Sequence, residues 1–488
     1  MNLFKYSNTN KRYYQLDYYN KNHFGQKVYK VSLNGGFTCP NKDGKKGFGG
    51  CVFCSKKGSG DFAGNPTLSL TEQFLQIKEV IDKKASNIKY IGYFQANTNT
   101  YDTLNNLKSK YEEILKIANV VGLAIGTRPD SISDEVLNYL EELNGKTDLT
   151  IELGLQTSHE KTAQFINRGY KLEEFEKMIQ KLRKKKIKVV VHLINGLPGE
   201  SKEMMIENIK YLNELPIFGI KIHMLQVLKN TNLENIYKEK PFKLLTKEQY
   251  IDIVCDQIEN LRENIVIERL TGDPSKENLI APDWTLKKVD VLNGIDKELE
   301  NRMTYQGFNR SILNHSKREI LINCNKNKVA IDATCGNGND TLFLTSFFKN
   351  KVYGFDIQEV AIKRTEKLLK EKGVTNYKLI NDSHDNIEFH LKQNKGLVSL
   401  VIFNLGYLPN ENKKITTKPK STIRAIDQSY NLLSDKGIIL ITVYTGHDEG
   451  KIESKEILKH IEKYDYSIIK NSSKEYAPYL IKIKKRND

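Results

Sequence analysis

Short apolar runs alternate with longer amphipathic stretches between residues 88 and 227. The apolar, β-branched runs lie at residues 88–94, 120–125, 149–155, 189–194 and 217–227. The stretches between them repeat their apolar positions with helical spacing, as in residues 172–186. Strands that alternate with helices in this way indicate βαβ units around a parallel sheet. Such a sheet either closes as a barrel or stays open as a doubly wound sheet.

A second series of the same kind begins after residues 305–307. A helical stretch at residues 310–325 precedes it, and its apolar runs lie at residues 329–332, 352–356, 378–381, 397–404 and 437–443. A glycine-rich loop follows the first of these runs, so the pattern starts again as a new α/β domain. We therefore predict two α/β domains, 1–307 and 308–488, with a boundary near residues 305–312.

The composition excludes several classes of protein. The chain has 488 residues, of which 39% are hydrophobic and 28% charged, so it is neither disordered nor collagen-like. Its longest nearly uncharged apolar run, residues 396–408, is shorter than the ~20 residues that a membrane-spanning helix needs. Residues 1–20 lack the apolar segment of a secretory signal, so we expect a cytoplasmic protein with no membrane partner. The net charge of +16 favours a polyanionic partner.

Three of the six cysteines share a glycine-rich loop, where Cys39, Cys51 and Cys54 form the pattern C-x11-C-x2-C. In a reducing compartment, cysteines with this spacing are expected to be ligands rather than disulfide partners. Three thiolates can hold three irons of a [4Fe–4S] cluster and leave the fourth iron open. A structural zinc ion is the alternative, but it needs four ligands, and the nearest histidine, His23, lacks the usual paired spacing.

The residues around these cysteines resemble those of the radical S-adenosylmethionine (SAM) proteins of the Elp3-like group. The resemblance covers about residues 10–307, and the long gap after the first cysteine is usual in this group. It is carried by the segments GFTCPN (36–41), GCVFC (50–54), GSGDFAG (58–64), YFQANTNTY (93–101), GTRPD (126–130), ELGLQT (152–157), INRG (166–169) and HLINGLPGE (192–200).

This resemblance implies a partial (βα)6 barrel, with the cysteine loop after its first strand and its site at the carboxyl ends of the strands. A [4Fe–4S] cluster reduced by a partner such as flavodoxin or ferredoxin would cleave SAM to a radical that abstracts an unactivated hydrogen. Phe53 would pack on the adenine of SAM, while Glu152 and Gln156 would hold its ribose or methionine amine. Loop packing is the alternative role of Phe53, and hydrogen bonding to backbone is that of Glu152 and Gln156. Arg128 would bind the carboxylate of SAM or an anionic substrate.

The second series contains the pattern of a nucleotide site. Its first strand ends at Asp332 and leads into a Gly-x-Gly turn, where glycine lets the backbone approach a ligand closely. Asp356 ends the next strand, about 20 residues further on, where a carboxylate can accept both hydroxyls of a ribose. NAD and SAM satisfy this pattern equally. The remaining candidates for contact with the nucleotide are Gly336, Gly338, Gln358, Asp382 and His384.

The fourth strand of this series ends in NLGYLP, residues 404–409, which resembles the N-P-P-Y motif of methyltransferases with both prolines replaced. Together with FDIQ (355–358), NDSH (381–384) and YTGHDEG (444–450), it makes residues 310–486 similar to the class I methyltransferases first named rRNA methylases. The characterised members of that family act on the wobble uridine of tRNA. The resemblance implies a Rossmann-like domain with a SAM of its own.

The same resemblance implies the catalytic residues of the second domain. The side chain of Asn404, with backbone carbonyls, would hold the substrate amine, and the ring of Tyr407 would stack on the base. An aliphatic amine must lose a proton before it can attack the methyl group of SAM, so a base or desolvation must assist. His447, His384 and Tyr407 are the candidates for this base.

Together, the two resemblances imply one enzyme that modifies uridine 34 of tRNA at two SAM sites. The radical SAM domain would convert 5-carboxymethylaminomethyl-(2-thio)uridine to 5-aminomethyl-(2-thio)uridine, and the second domain would methylate that amine to give 5-methylaminomethyl-(2-thio)uridine. The partner would be the anticodon stem-loop of tRNA, whose phosphates suit two basic domains. Two alternatives stay open: a fusion that modifies rRNA, and a tRNA methyltransferase whose cluster-bearing domain only binds RNA.

Overall fold

The computed structural model describes residues 4–55, 58, 62–274, 276–406, 416–471 and 476–486. The chain divides into two compact units, Met1–Gly307 and Phe308–Asp488. Each unit has its own sheet of mainly parallel strands with helices packed against it. The α/β class predicted from the alternating pattern is therefore confirmed.

The described part of the first unit contains nine strands. They are β1 Val28–Leu33, β2 Lys89–Phe94, β3 Val120–Thr127, β4 Asp148–Gln156, β5 Lys188–Asn195, β6 Gly219–Met224, β7 Val227–Leu228, β8 Val266–Arg269 and β9 Leu279–Ala281. Seven of them form a curled, fully parallel half-barrel in the order β1-β2-β3-β4-β5-β6-β8. The half-barrel that the resemblance implied is thus confirmed, with β8 as a seventh strand beyond the expected six. Strands β7 and β9 pair antiparallel as a separate ribbon.

Helices connect these strands and cover the convex face of the half-barrel. They are α1 Leu16–Phe24, α2 Leu70–Asp82, α3 Leu104–Leu115, α4 Asp134–Asn144, α5 Glu160–Phe165, α6 Leu172–Lys184, α7 Lys202–Asn213, α8 Asn232–Glu239, α9 Lys247–Asn260 and α10 Lys288–Asn301.

Helix α6 shows how the sequence builds this layer. Phe175, Ile179 and Leu182 recur at helical spacing and are fully buried, so one stripe of the helix packs into the core. Glu174 lies in the first turn and Lys184 in the last, where each charge is favourable to the helix dipole. The helix predicted from the periodicity of residues 172–186 is confirmed within two residues.

The described part of the second unit contains seven strands and six helices. The strands are β10 Val329–Asp332, β11 Val352–Phe355, β12 Tyr377–Ile380, β13 Val398–Asn404, β14 Leu433–Val443, β15 Asp465–Lys470 and β16 Tyr479–Lys484. The helices are α11 Ile312–Asn323, α12 Asn339–Phe347, α13 Glu359–Glu371, α14 Ile387–Leu391, α15 Pro419–Leu432 and α16 Asp448–Ile461.

The strand order of this sheet is β12-β11-β10-β13-β14-β16-β15, with β16 antiparallel to both of its neighbours. The order reverses between β10 and β13, and ligands of open α/β sheets bind beyond the carboxyl ends of the strands at such a reversal. Residues 398–403 of β13 are buried on both faces, and only Asn404 reaches the edge of the sheet. The Rossmann-like architecture expected for the second domain is confirmed.

Within the described ranges, we find no helix with both the length and the apolar character needed to cross a bilayer.

Candidate functional site

The cysteine loop follows β1 and is tied to two other segments of the first unit. The backbone N–H of Val52 donates to the carbonyl of Ile166 at 3.0 Å, and the N–H of Leu233 donates to the carbonyl of Val52 at 2.8 Å. The side-chain amide of Asn41 donates to the carbonyl of Asn167 at 2.7 Å. These contacts hold the loop at the carboxyl end of the half-barrel.

Two of the three thiols in this loop touch each other. Cys54 donates a hydrogen bond to Cys51, and this contact, helped by the charge of Arg128, lowers the pKa of Cys51 to about 7 in spite of its burial. The amide nitrogen of Asn41 lies 3.9 Å from the sulfur of Cys51, and the charge of Lys42 acts in the same direction. The same contact and burial raise the pKa of Cys54 well above its ordinary value, so Cys51 is the thiol of this pair that ionises more readily.

The donor set fits a group that takes three thiolates from the protein. No three His, Cys, Asp or Glu side chains of the described residues are grouped closely enough to hold one metal ion. Cys39 is near enough for its charge to act on Cys54 and on Arg128. A tetrahedral zinc ion needs four ligands, whereas a [4Fe–4S] cluster is wide enough to use three separated thiolates. Cys39, Cys51 and Cys54 would hold such a cluster.

Arg128 uses three of its five N–H donors within the first unit. Its guanidinium forms two hydrogen bonds with the carboxylate of Asp130, at 3.0 and 2.9 Å, and a third with the carbonyl of Arg168 at 2.8 Å. The side chain of Arg128 therefore supplies a fixed positive charge beside the cysteine loop, and its predicted contact with SAM or an anionic substrate stays a prediction.

Glu152 lies in the middle of β4, and its side chain is completely buried. Its oxygens accept from Lys30 at 2.8 Å, from His192 at 2.7 Å and from Lys221. Although burial acts to raise it, the charges of Lys221 and Lys30 hold the pKa of Glu152 well below its ordinary value. The carboxylate predicted to hold SAM is thus the centre of an ion-pair network, and a direct contact with SAM stays a prediction.

This network joins strands from opposite ends of the sheet. Lys30 on β1 also binds Glu268 on β8 at 2.6 Å, and the hydroxyl of Tyr93 on β2 lies 3.3 Å from the ammonium of Lys221. Strands at the two ends of a curled sheet meet only across its concave face, so these side chains line the interior of the half-barrel. We name them the lumen group: Lys30, Tyr93, Glu152, His192, Lys221 and Glu268.

The sequence motifs predicted only Glu152 among the members of the lumen group. His192 interrupts the apolar run of β5, and Lys221 and His223 alternate with apolar residues in β6. A polar residue within a buried strand costs free energy unless it is paired, so it marks an interior site. That signal is present in residues 189–194 and 217–227.

Gln156 and Phe53 lie at the carboxyl end of the half-barrel. Gln156 ends β4 with a positive φ of 66°, a conformation that points to a sharp turn at the strand end. Phe53 is partly buried and packs against an apolar cluster that includes Val52, Ile166 and Leu233. Their predicted contacts with SAM stay predictions.

In the second unit, the Gly-x-Gly turn connects β10 to α12. The carboxylate of Asp356 accepts from the backbone N–H of Gly336 at 3.0 Å and from that of Gln358 at 2.9 Å, so it bridges the turn and the start of α13. Gly338 has a φ of 81°, and a Cβ there would lie 3.0 Å from the Cα of Thr365. Only glycine fits this position without strain.

Two buried carboxylates lie at the point where the strand order reverses. Asp332 accepts from the hydroxyl of Thr341 at 2.7 Å, and burial, with the nearby charge of Asp340, raises its pKa to about 7. The side-chain amide of Asn404 donates to Asp340, whose pKa burial also raises. Asn404 is fixed from the other side because its N–H donates to the hydroxyl of Thr334 at 2.7 Å. The sequence motifs predicted Asp332 and Asn404 but not Asp340.

The remaining predicted residues of the second unit have different surroundings. Asp382 accepts from His390 at 2.8 Å and from the backbone N–H of Ser383 at 2.7 Å, and the bond from His390 lowers its pKa. The Nε2 atom of His384 is buried and has no hydrogen-bond partner among the described residues, and burial lowers the pKa of this side chain. His384 is therefore a neutral ring with one nitrogen available.

His447 caps a helix in this structure. Its Nδ1 atom accepts from the backbone N–H of Gly450 at 2.9 Å, at the start of α16. This contact fixes the ring as an N-cap, and its catalytic role stays a prediction. Tyr407 lies outside the described residues.

Comparison with known families follows the same division of the chain. The sequence model of the radical SAM superfamily matches residues 41–212, and that of the radical SAM C-terminal domain matches residues 217–301. A third family model, described as "Putative rRNA methylase", matches residues 352–480.

Several known proteins are similar to one unit or the other. The uncharacterized protein YtqA of Bacillus subtilis (strain 168) is 48% identical over 306 residues, which are 63% of this chain and 95% of that protein. The chloroplastic tRNA (mnm(5)s(2)U34)-methyltransferase of Arabidopsis thaliana is 39% identical over 141 residues, 26% of this chain and 50% of that protein. A crystal structure titled "putative rRNA-methylase" from Clostridium thermocellum is 34% identical, with a TM-score of 0.34, and covers 36% of this chain and 98% of its own.

The family models fall on the half-barrel, with Cys51 and Cys54 of its loop, and on the part of the second unit that runs from β11 to the start of β16. The chain therefore belongs to the radical SAM superfamily through its first unit and carries an rRNA methylase domain in its second, so it is an enzyme that combines these two domains.

Proposed function

We propose that this chain modifies uridine 34 of tRNA in two successive reactions, one in each unit. The first converts 5-carboxymethylaminomethyl-(2-thio)uridine to 5-aminomethyl-(2-thio)uridine, and the second methylates that amine to 5-methylaminomethyl-(2-thio)uridine. One observation carries the proposal: a radical SAM half-barrel and a unit similar to a tRNA (mnm(5)s(2)U34)-methyltransferase occupy the same polypeptide. The place of action would be the cytoplasm, and the partner the anticodon stem-loop.

The first reaction is an oxidation followed by hydrolysis. A [4Fe–4S] cluster on the three cysteines, reduced by a protein such as flavodoxin or ferredoxin, would supply the electron that cleaves SAM to methionine and a 5′-deoxyadenosyl radical. The methylene between nitrogen and carboxylate would give a hydrogen atom to this radical, which becomes 5′-deoxyadenosine. The substrate radical would then lose a proton from nitrogen and one further electron, for which a cluster held by Cys39, Cys51 and Cys54 would be the acceptor. Water hydrolyses the resulting C=N bond to the free amine and glyoxylate.

The second reaction is a direct displacement at the methyl group of SAM. Asn404 stands at the carboxyl end of β13, at the reversal of strand order where a SAM bound by the Gly-x-Gly turn would present its methyl group. Asp340, which accepts a hydrogen bond from Asn404, would accept another from the substrate amine, and its raised pKa supports a role in taking up the proton. His384 offers a second acceptor at the same edge of the sheet.

The test is a product analysis with a defined tRNA. The protein is reconstituted anaerobically with iron and sulfide and incubated with SAM, reductant and tRNA that carries 5-carboxymethylaminomethyluridine, and the nucleosides are identified by mass spectrometry. We expect 5-methylaminomethyluridine from the wild-type chain and accumulation of 5-aminomethyluridine from Asn404→Ala. The matched control is Asn376→Ala, since Asn376 precedes β12 at the opposite end of the strands and its side chain donates to backbone carbonyls.

Other outcomes would contradict the proposal. An unchanged nucleoside, with SAM cleaved in the same tube, would exclude this substrate and direct the search to rRNA. Methylation of an aminomethyl substrate without any conversion of the carboxymethyl one would leave the first unit as an RNA-binding domain.

A further inference from the structure

The lumen group has two neighbours at the carboxyl end of the half-barrel that have no partner of their own. His192, Lys221 and Arg269 are register partners on the adjacent strands β5, β6 and β8, and they form a row across the sheet. His223 follows two residues after Lys221 on β6, so both side chains point to the same face. His223 therefore borders the lumen group toward the carboxyl end of the strands, and Arg269, the last residue of β8, lies level with His192 and Lys221.

Within the lumen group, the negative and positive charges balance each other. Glu152 and Glu268 have side-chain exposures of 0% and 2%, and each lies beside both Lys30 and Lys221. Burial lowers the pKa of Lys221 to about 8, so its ammonium still carries a proton at neutral pH. Two buried carboxylates thus face two buried ammonium groups, which is the arrangement that makes burial of such charges tolerable.

Arg269 adds a positive charge that nothing in the described structure balances. Its guanidinium makes no ion pair or hydrogen bond with any residue that the structure describes, although the side chain is half-buried. Its charge nevertheless lowers the pKa values of His223 and Lys221, in addition to the larger effect of burial, so the guanidinium is within electrostatic reach of both. A guanidinium cannot be deprotonated in a protein, and a partly buried one is stabilised by an anion.

His223 presents a second unused group beside that charge. Its Nε2 atom is buried and has no hydrogen-bond partner among the described residues, and its ring centre lies 5.4 Å from that of His192. Burial lowers the pKa of His223 well below its ordinary value, so the ring is neutral and can donate one hydrogen bond. Buried polar atoms in folded proteins are nearly always paired, so an unpaired one beside an uncompensated charge is a candidate for contact with a ligand or a water.

We infer that Arg269 and His223 form a carboxylate-binding subsite at the mouth of the lumen group. The planar guanidinium matches a carboxylate with two parallel hydrogen bonds, and the imidazole donates one more. This inference rests on the proposed function for its source of the carboxylate, which is the terminal group of the 5-carboxymethylaminomethyl substituent. The subsite would hold the methylene beside that carboxylate in a fixed position and would discriminate against substituents that lack the charge.

The test compares a charged and a neutral ligand of equal size. Anticodon stem-loops that carry either 5-carboxymethylaminomethyluridine or its carboxamide analogue are bound to the reconstituted protein with SAM and without reductant, and fluorescence anisotropy gives each Kd. We expect the wild-type chain to bind the carboxylate form about tenfold more tightly, as a charge-assisted hydrogen-bond pair typically allows. Arg269→Gln should reduce this preference to less than about twofold. The matched control, Arg183→Gln, removes an exposed arginine of α6 and should retain the preference.

Two further measurements separate the remaining explanations. His223→Gln removes no hydrogen bond within the described structure and should also weaken the preference for the carboxylate. Methylation of an aminomethyluridine tRNA should stay unchanged in Arg269→Gln and in His223→Gln, because the second unit is intact. The inference would be overturned if Arg269→Gln still preferred the carboxylate stem-loop. It would also be overturned if the wild-type chain bound the carboxylate and carboxamide stem-loops equally. Loss of SAM affinity in Arg269→Gln with the preference intact would assign the bound carboxylate to SAM and overturn its assignment to the uridine substituent.

Analysis of the nucleoside products tests the proposed function separately from the subsite. A wild-type chain that prefers the carboxylate stem-loop but forms no 5-aminomethyluridine when reductant is added would keep the subsite and refute the proposed first reaction. Formation of that product without any preference for the carboxylate would refute the subsite alone.

Discussion

Asp332 is a carboxylate held entirely out of water at the end of β10. It accepts from Thr341 and from the backbone N–H of Thr334, yet burial and Asp340 still raise its pKa to about 7 from the ordinary 3.8. A group whose pKa is higher in the folded state stabilises that state fully below its unfolded pKa and loses this contribution as pH rises through the folded value.

The stability of the second unit should therefore fall between about pH 4 and pH 7, and Asp332→Asn should flatten that dependence. The change is at most about 4 kcal/mol and is shared with other buried carboxylates such as Asp340. Differential scanning calorimetry of both chains across this range measures it, with the exposed Asp435→Asn as control. Equal slopes for Asp332→Asn and the wild-type chain would show that Asp332 does not titrate as described.

At the scale of residues, sequence motifs identify candidate site residues but do not predict the hydrogen-bond partners of their side chains. Asp332, Asp356 and Asn404 are predictable because each ends an expected strand. The engagement of Arg128 by Asp130, and the use of His447 as a helix cap, depend on local geometry that spacing does not encode.

At the scale of elements, helix α16 supports the segment that follows Asn404. Its buried Glu453 accepts from the hydroxyls of Thr417 and Thr422, both at 2.7 Å. Thr417 in turn receives a hydrogen bond from the N–H of Gly406 at 3.0 Å and donates its own N–H to the carbonyl of Gly406 at 3.0 Å. The chain just beyond Asn404 is thus connected to α16 through one threonine.

Glu453→Ala should weaken both the fold and the methylation step of the second unit. Removing the carboxylate deprives two hydroxyls of their acceptor, which should lower the free energy of unfolding by about 2–4 kcal/mol. Methylation of an aminomethyluridine tRNA should slow even at temperatures where the variant is folded, while conversion of the carboxymethyl substituent stays at the wild-type rate. The exposed Glu456→Ala on the same helix is the control. Undiminished methylation by a stable Glu453→Ala chain would contradict this role of α16.

The pattern of elements predicts the two α/β sheets because long amphipathic helices and buried strands have distinct periods. It does not choose between a barrel and an open sheet, since both are made of the same βα units. Strand β8 escapes prediction because its four residues, VIER, contain only two apolar positions. Its place in the sheet comes from pairing with β6, a contact distant in sequence.

At the scale of the whole molecule, one chain with a net charge of +16 combines a radical SAM unit and a methyltransferase unit. The basic charge suits a polyanionic substrate, since phosphate contacts supply affinity that does not depend on sequence. The two proposed sites lie in separate units. Substitution of the site residues in one unit should therefore abolish one reaction and leave the other at its wild-type rate. This separation of the two reactions is the central claim.

The measurement that tests it most directly offers Cys51→Ala two tRNA substrates in parallel, one with 5-carboxymethylaminomethyluridine and one with 5-aminomethyluridine. Cys324→Ala, which changes a cysteine of the second unit outside either proposed site, is the control. We predict that Cys51→Ala leaves the first substrate unchanged and methylates the second at the wild-type rate. Removal of the carboxymethyl group by Cys51→Ala, or failure of the folded variant to methylate the aminomethyl substrate, would contradict this separation.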